Sequence, residues 1–287
     1  MLTNTGSDRV RSVRALGRRA ARQREGLFLA EGPQAVGEVV IHRPDAVQDL
    51  YFEARGGQTE ASTRQAGSGQ AVTPAAVTRQ AALLDAARER GLSIREVSHE
   101  VLVAMSDALV PQGVLAVCRN IDVDLDVVLD LRPRCVVILA NVRDPGNAGT
   151  VIRGADAAGA DAVLLSDSSV DIYNPKVVRS TVGSLFHLPI VTGVPVEALL
   201  GRVRDAGLML LAADGNGDLL LGDIDLTGSH AWVMGNEAWG LEADVRAACD
   251  AVVRVPIYGK AESLNLAMAA TLCLYQSAGV QNHSSIR

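Results

Sequence analysis

Val233-Met234-Gly235-Asn236-Glu237-Ala238-Trp239-Gly240-Leu241 reads as an apolar strand that runs into a loop of the form Gly-x-Glu-x-x-Gly. Glycines let a backbone approach a ligand closely. Taken alone, the same residues also make an ordinary tight strand-to-helix turn. The segments around this stretch repeat one rhythm. Residues 135–140, 162–166, 188–191, 208–213, 232–235 and 251–257 are short apolar runs, and residues 148–158, 175–186, 196–206, 242–248 and 263–279 read as helices. Strands that are apolar throughout, separated by helices, imply a parallel sheet covered on both faces. The fold expected here is α/β, with ligands at the edge where strands end and helices begin.

Two further stretches sit at such junctions. Asn141-Val142-Arg143-Asp144-Pro145-Gly146-Asn147-Ala148-Gly149 follows one strand and leads to Arg153. Asn147 is placed to cap the helix. On that helix Val151, Ala155 and Ala158 share a face, and Arg153 lies about 200° round from Val151, away from the core. A capped helix with a solvated arginine explains this stretch equally well when it stands alone. Val255-Pro256-Ile257-Tyr258-Gly259-Lys260-Ala261-Glu262-Ser263-Leu264-Asn265-Leu266 opens the last helix. That helix is apolar nearly all the way round, so burial is expected. Ser263 and Asn265 stand at its start, where polar side chains cap a helix or face a ligand.

The first half has a different texture. Arg9, Arg11, Arg14, Arg18, Arg19, Arg22 and Arg24 crowd the N-terminus, with Asp8 the only acid before Glu25. A short apolar run at 27–30 leads through Glu31-Gly32-Pro33 into a helix ending near Val40. Residues 47–52, 92–97 and 114–118 read as strands. Pro74 opens a helix to Arg90, stopped by Gly91. Residues 54–73 are rich in Gly, Ser, Thr and Gln, as in a mobile loop. Residues 120–134 are acidic and end in Arg132-Pro133-Arg134, a linker pattern. The expected organisation is a first domain at 1–118, a linker at 119–134 and a second domain at 135–287, since 287 residues exceed the usual span of one domain.

A net charge of −6 excludes a uniformly basic nucleic-acid coat, and 3% aromatic content excludes a grip built on many stacking rings. Cys118, Cys135, Cys249 and Cys273 form no CxxC pair, so neither a zinc site nor a disulfide framework is expected. They read as buried thiols of a cytoplasmic protein. No apolar run approaches the ~20 residues of a membrane span. No GxGxxG or GxxxxGK[ST] occurs. Asp214-Gly215-Asn216-Gly217 follows an apolar strand, but the residues after it are broken by Gly and Asp, so the helix of a Rossmann-type methyltransferase is missing.

Taken in order, Asn-x-Gly-x-x-x-Arg, Gly-x-Glu-x-x-Gly and Pro…Ser-Leu-Asn resemble the three signature motifs of the SpoU (TrmH) family of SPOUT methyltransferases, over about residues 135–280. The resemblance implies transfer of a methyl group from S-adenosylmethionine to a ribose 2′-oxygen of RNA. It also implies an α/β catalytic domain with a C-terminal trefoil knot, and a homodimer with its active site near the interface. By resemblance, Arg153, Asn147, Glu237, Ser263 and Asn265 form the catalytic set; with Arg153 stabilising the developing alkoxide, Glu237 is expected to orient it and Asn147 and Asn265 to act as hydrogen-bond positioners. Leu211, Ala212, Ala213, Gly235, Val255, Ile257 and Leu264 hold the cofactor. Phe28-Leu29-Ala30-Glu31-Gly32 and Ser106-Asp107…Pro111-Gln112-Gly113-Val114 resemble the L30e-like substrate-binding domain that precedes many SpoU enzymes. Members carrying it act on rRNA, so 23S rRNA is the expected partner, with the seven arginines taking phosphates. The Ala- and Arg-rich usage resembles that of high-GC actinomycetes, and length and composition favour a likeness to their antibiotic-resistance members of the avilamycin type, a likeness that no single motif carries. The competing expectations are a tRNA 2′-O-methyltransferase and a non-catalytic protein that shields rRNA. Simple shielding has no use for Arg153, Glu237, Ser263 and Asn265 together.

Overall fold

A computed structural model of the chain describes residues 1–53 and 74–282. The loop expected at 54–73 lies outside the described residues. The chain divides into two units, Met1–Asn120 and Ile121–Arg287.

In the first unit the arginine-rich opening is helical: α1 (Asp8–Ala15) is capped by Ser7, and α2 (Arg19–Glu25) ends at Gly26. The apolar run after it becomes β1 (Leu27–Glu31), followed by α3 (Gly32–His42), β2 (Val47–Glu53), α4 (Pro74–Glu89), β3 (Ile94–Val97), α5 (His99–Met105) and β4 (Val114–Arg119). The sheet order is β1-β4-β2-β3; β4 is antiparallel to β1 and β2, and β3 is parallel to β2. α1 and α5 close one core, with Val10, Val13, Leu16, Val101, Leu102 and Met105 against Leu29, Tyr51 and Leu115.

The second unit begins earlier than expected. Within the presumed linker, α6 (Leu125–Asp130) buries Leu125 and Val128 in the same core as the strand after it. The peptide nitrogens of Ile121 and Asp122 also donate to the Tyr173 hydroxyl at 2.6 and 2.8 Å. Acidic residues on the solvent side of a short amphipathic helix gave this segment its linker-like composition.

There follow β5 (Cys135–Leu139), α7 (Pro145–Ala158), β6 (Ala162–Ser166), α8 (Pro175–Thr181), β7 (Ile190–Val194), α9 (Val196–Asp205), β8 (Met209–Ala213), β9 (Leu219–Leu220), β10 (His230–Met234), α10 (Ala243–Ala247), β11 (Ala251–Arg254) and α11 (Leu266–Gln281). Every pairing is parallel, in the order β7-β6-β5-β10-β8-β11-β9. β5, β6 and β10 are buried along their whole length, as apolar runs without alternation require. α6, α9 and α10 cover one face. α7, packed between α8 and α11, lies on the other.

Two expected helices are shorter. The helix at 175–186 stops at Thr181, because Val182 (φ 54°) and Gly183 (φ 102°) turn left-handed before a single 3-10 turn at Ser184–Phe186. The final helix starts at Leu266 rather than Ser263. It is also not buried all round: Ala267, Ala270, Cys273 and Leu274 face the core, while Met268, Leu272 and Tyr275 are exposed. Hydrophobicity alone could not separate the face that meets the sheet from the one that meets solvent.

Cys118, Cys135 and Cys273 are buried and free, and Cys249 is half-buried. Burial pushes the thiols of Cys135 and Cys273 up to about 12. No helix among the described residues is long and apolar enough to cross a membrane.

Candidate functional site

β5, β10, β8 and β11 are parallel neighbours, so their C-terminal ends open on one edge of the sheet. The loops of all three motifs leave from that edge. After β5 the chain turns at Asn141, whose φ of 59° is left-handed. Its peptide N–H donates to Ser166 Oγ at 3.0 Å, and its side-chain amide donates to Glu242 at 3.1 Å.

The Gly-x-Glu-x-x-Gly loop is closed on itself. Asn236 N donates to Gly240 O at 2.8 Å, and Gly240 N to Asn236 O at 2.9 Å. A Cβ on Gly235 would lie 2.3 Å from Gly240 C and 2.5 Å from both Gly240 O and Leu241 N, so only glycine fits. The buried Asn236 side chain reaches the neighbouring loop, donating to Asn141 O at 2.7 Å.

Glu237, next along, holds the first motif. Its carboxylate accepts from Arg143 N at 3.2 Å, Asp144 N at 3.1 Å and Asn147 Nδ2 at 3.2 Å. Asn147 Oδ1 accepts in turn from Asn265 Nδ2 at 2.9 Å. Asn265 caps α11, its Oδ1 receiving Ala267 N at 2.9 Å and Met268 N at 3.3 Å. A single hydrogen-bond chain, Glu237–Asn147–Asn265, therefore ties the three motifs together.

Asn147 does not cap α7. Pro145 fixes the first helical position, so Asp144 precedes it as the cap and its side chain accepts from Asn147 N at 2.7 Å. That leaves the Asn147 amide free to bridge the other two loops. Glu237 does not orient Arg153 either: both its oxygens face the 143–147 loop. Arg153 is exposed on α7, and no hydrogen bond or ion pair joins its side chain to another described residue. Close packing positions that helix. Cβ atoms on Gly149 and Gly154 would lie 2.5 Å from Ser180 Cβ on α8 and 2.9 Å from Thr271 Oγ1 on α11. Ser263 is exposed in the segment before α11.

The expected cofactor positions divide. Leu211 and Ala212 lie inside β8, side chains buried and flanked by β10 and β11, so they support the site without lining it. Ala213 ends the strand at the open edge, beside Gly235 at the end of β10. Residues 255–264 are neither helix nor strand and make no backbone hydrogen bond to another described residue. Val255 and Leu264 there are half-buried, and Ile257 is 39% exposed. Apolar side chains beside unspent peptide donors and acceptors suit an adenosine, which offers a flat apolar face and a polar rim.

Residues 134–275 match the SpoU rRNA Methylase family, and residues 7–116 the MRM3-like substrate binding domain. The chain is 31% identical over 250 residues to the 23S rRNA (guanosine-2'-O-)-methyltransferase RlmB of Bordetella pertussis, spanning 86% of this chain and 94% of the relative. It is 35% identical over 191 residues to the 23S rRNA (guanosine(2553)-2'-O)-methyltransferase RlmP of Bacillus subtilis, spanning 67% and 75%. The chain belongs to the SpoU family. Among solved structures, the SpoU methyltransferase AviRb of Streptomyces viridochromogenes in complex with AdoMet superposes with a TM-score of 0.75 at 31% identity, covering 95% of this chain and 98% of that one.

In the substrate-binding unit of this SpoU chain the seven arginines part company. Arg9 pairs with Asp49 at 3.1 Å, Arg11 with Asp8, and Arg24 with Glu25 at 2.8 Å. Arg22 is buried and donates to the carbonyls of Leu16 at 2.9 Å and Gly17 at 3.0 Å. It fastens the α1–α2 turn and is unavailable to RNA, a correction to the expected set. Arg14, Arg18 and Arg19 are exposed, with no side-chain bond to another described residue.

Sequence reasoning missed Asn236, Asn141 and Glu242, the brackets that hold the loops. Asn141 carried a usable signal, since an asparagine directly after a strand readily adopts the left-handed conformation. It also passed over Arg143 and Trp239, which stand beside Glu237.

Proposed function

We propose that this SpoU chain transfers the methyl group of S-adenosylmethionine to a ribose 2′-oxygen of 23S rRNA, acting as a cytoplasmic homodimer. The observation that carries the reading is the Glu237–Asn147–Asn265 chain, which joins three loops at one sheet edge while leaving Arg153 exposed and unpaired among the described residues. S-adenosylmethionine, when bound, supplies an activated methyl sulfonium. Residues 255–264, Gly235 and Ala213 would hold its adenosine, and the knot implied for the family would form that cradle. Arg153 is suited to donate to the 2′-oxygen as it gains charge. It is a poor base, because the delocalised charge of a guanidinium makes it give up a proton very reluctantly. Glu237, Asn147 and Asn265 orient the loops, so that most of the acceleration comes from position.

The dimer rests on α11. Met268, Leu272 and Tyr275, spaced i, i+4 and i+7, are 58%, 46% and 52% exposed. Such an apolar stripe on one helix face suits a second copy. The 23S rRNA assignment rests on the RlmB and RlmP relatives and on a substrate-binding unit with Arg14, Arg18 and Arg19 free to meet phosphates. An antibiotic-resistance role belongs to the proposal on the sequence resemblance alone.

The test is tritiated S-adenosylmethionine with 23S rRNA, 16S rRNA and tRNA in parallel, followed by nucleoside digestion. The expected result is label in one 2′-O-methylnucleoside from 23S rRNA. Label on a base, or in tRNA alone, refutes it.

A further inference from the structure

Trp239 stands two residues beyond Glu237, and 54% of its surface is exposed. An indole has a large apolar area to hide and is left in water only at some loss. The loop that carries it is held by the paired Asn236–Gly240 backbone bonds at 2.8 and 2.9 Å, and Ala238 N is fixed on Asn236 Oδ1 at 2.8 Å. The ring is thus presented on a braced loop. The Arg143 guanidinium lies 5.8 Å from its ring centroid. Arg143 is itself anchored through its peptide N–H to Glu237 at 3.2 Å, and no carboxylate among the described residues pairs with its side chain. An exposed aromatic face and an unneutralised guanidinium are therefore joined to the same glutamate, and that glutamate holds Asn147.

Nothing in the hydrogen-bond chain of the site requires either side chain. An aromatic ring with a cation beside it matches one ligand chemistry well: a nucleotide lifted out of its stack, with base against ring and phosphate on guanidinium. On the proposed reading the cofactor would not need it, because residues 255–264 offer apolar side chains and free peptide groups at the same edge.

We infer that Trp239 and Arg143 form the platform that receives an unstacked nucleotide of the RNA substrate, with the base stacked on the indole and a flanking phosphate on the guanidinium. The inference rests on the RNA-modifying reading above and assigns it a specificity-determining pair. Such a pair would let a protein with only 3% aromatic residues stack one base of its RNA.

The chain has two tryptophans, and Trp232 is fully buried, so any ligand-dependent change in exposed-tryptophan emission reports Trp239. Titrating the full-length protein with a short single-stranded oligoribonucleotide of mixed sequence should quench that emission, and Trp239→Leu should abolish the quench. Emission from Trp232 in the variant serves as the folding control. In steady state with 23S rRNA, Trp239→Leu should raise KM for RNA by ~10-fold or more with kcat little changed, as loss of one stacked base predicts. Trp239→Phe should recover most of that loss. Arg143→Gln should raise KM and lessen its dependence on salt. An unchanged KM in Trp239→Leu overturns the inference. So does quenching by S-adenosylmethionine alone, which would assign the ring to the cofactor, and so does quenching that persists only with protein concentration, which would assign it to a second copy. If native protein methylates no RNA yet the oligonucleotide quenches, the platform stands and the proposed reaction fails. If 23S rRNA is methylated without any quench, the reaction stands and the platform fails.

Discussion

Substitution of Gly235 by alanine tests whether the second motif is a mechanical part of the site. The added Cβ would lie 2.3 Å from Gly240 C, whereas ordinary contact begins near 3.4 Å, so the loop must open by about 1 Å. The atoms in the way are backbone, which cannot rotate aside. Opening strains or breaks the two Asn236–Gly240 bonds, each worth ~0.5–1.5 kcal/mol net, and overpacking adds ~1–3 kcal/mol. The sum is about 2–6 kcal/mol, released largely by displacing Glu237 and the 143–147 loop that it holds. A shift of about 1 Å at reacting groups is worth roughly 100-fold in rate. We therefore expect kcat/KM for methyl transfer to fall at least ~100-fold in Gly235→Ala, measured with tritiated cofactor. Melting of the second unit, followed by calorimetry, should drop by several degrees. Gly201→Ala is the control: on α9, with nothing within 4 Å of its new Cβ, it should keep native activity and gain a few tenths of a kcal/mol of stability. Native turnover in Gly235→Ala would show that the close approach of the two loops has no bearing on catalysis.

Four other outcomes are expected. Arg153→Ala should lower kcat by ~100-fold or more with unchanged cofactor affinity by calorimetry; near-normal turnover removes this side chain from the mechanism. Asn265→Asp retains an oxygen for the cap of α11 but loses the amide that donates to Asn147, so the melting temperature should hold while kcat falls ~10-fold or more. A parallel loss of both would mean that the cap was all that mattered. If the chain pairs through α11 as proposed, Leu272→Glu should yield a monomer in sedimentation velocity where the native protein sediments as a dimer, whereas an unaltered coefficient would place the interface elsewhere.

The fourth concerns pH. His230 is buried, with Nδ1 2.9 Å from Gly228 O and Nε2 2.8 Å from Ser277 Oγ, and burial holds its pKa below the ordinary value. Nδ1–H donates to the Gly228 carbonyl, and burial favours the neutral ring. As pH falls through about 6.5 the unfolded chain takes up the proton first, so stability is full above that pH and declines below it. His230→Gln should flatten the decline between about pH 6.5 and 5 in thermal melts. An identical slope would place the titrating group elsewhere.

Local sequence, read by itself, was enough for the class of fold and the three loops. Parallel strands must be apolar on both faces, and Gly-x-Glu-x-x-Gly and Ser-Leu-Asn at strand-to-helix junctions have chemistry written into their composition. The same holds for the two-part organisation and the stop of α4 at Gly91, which are matters of composition and backbone preference.

What local sequence could not decide was partnership across distance. Whether Asn147 caps its own helix or bridges two other loops depends on Glu237 and Asn265, 90 and 118 positions away. Arg22 was indistinguishable from Arg14 and Arg18 until the α1–α2 turn brought two carbonyls to it. The last helix was equally apolar on its covered and open faces, and only the position of the sheet told Ala270 from Leu272. A sequence states what each side chain is able to do; a folded chain, by bringing distant groups within 3 Å, selects which of those capacities is used.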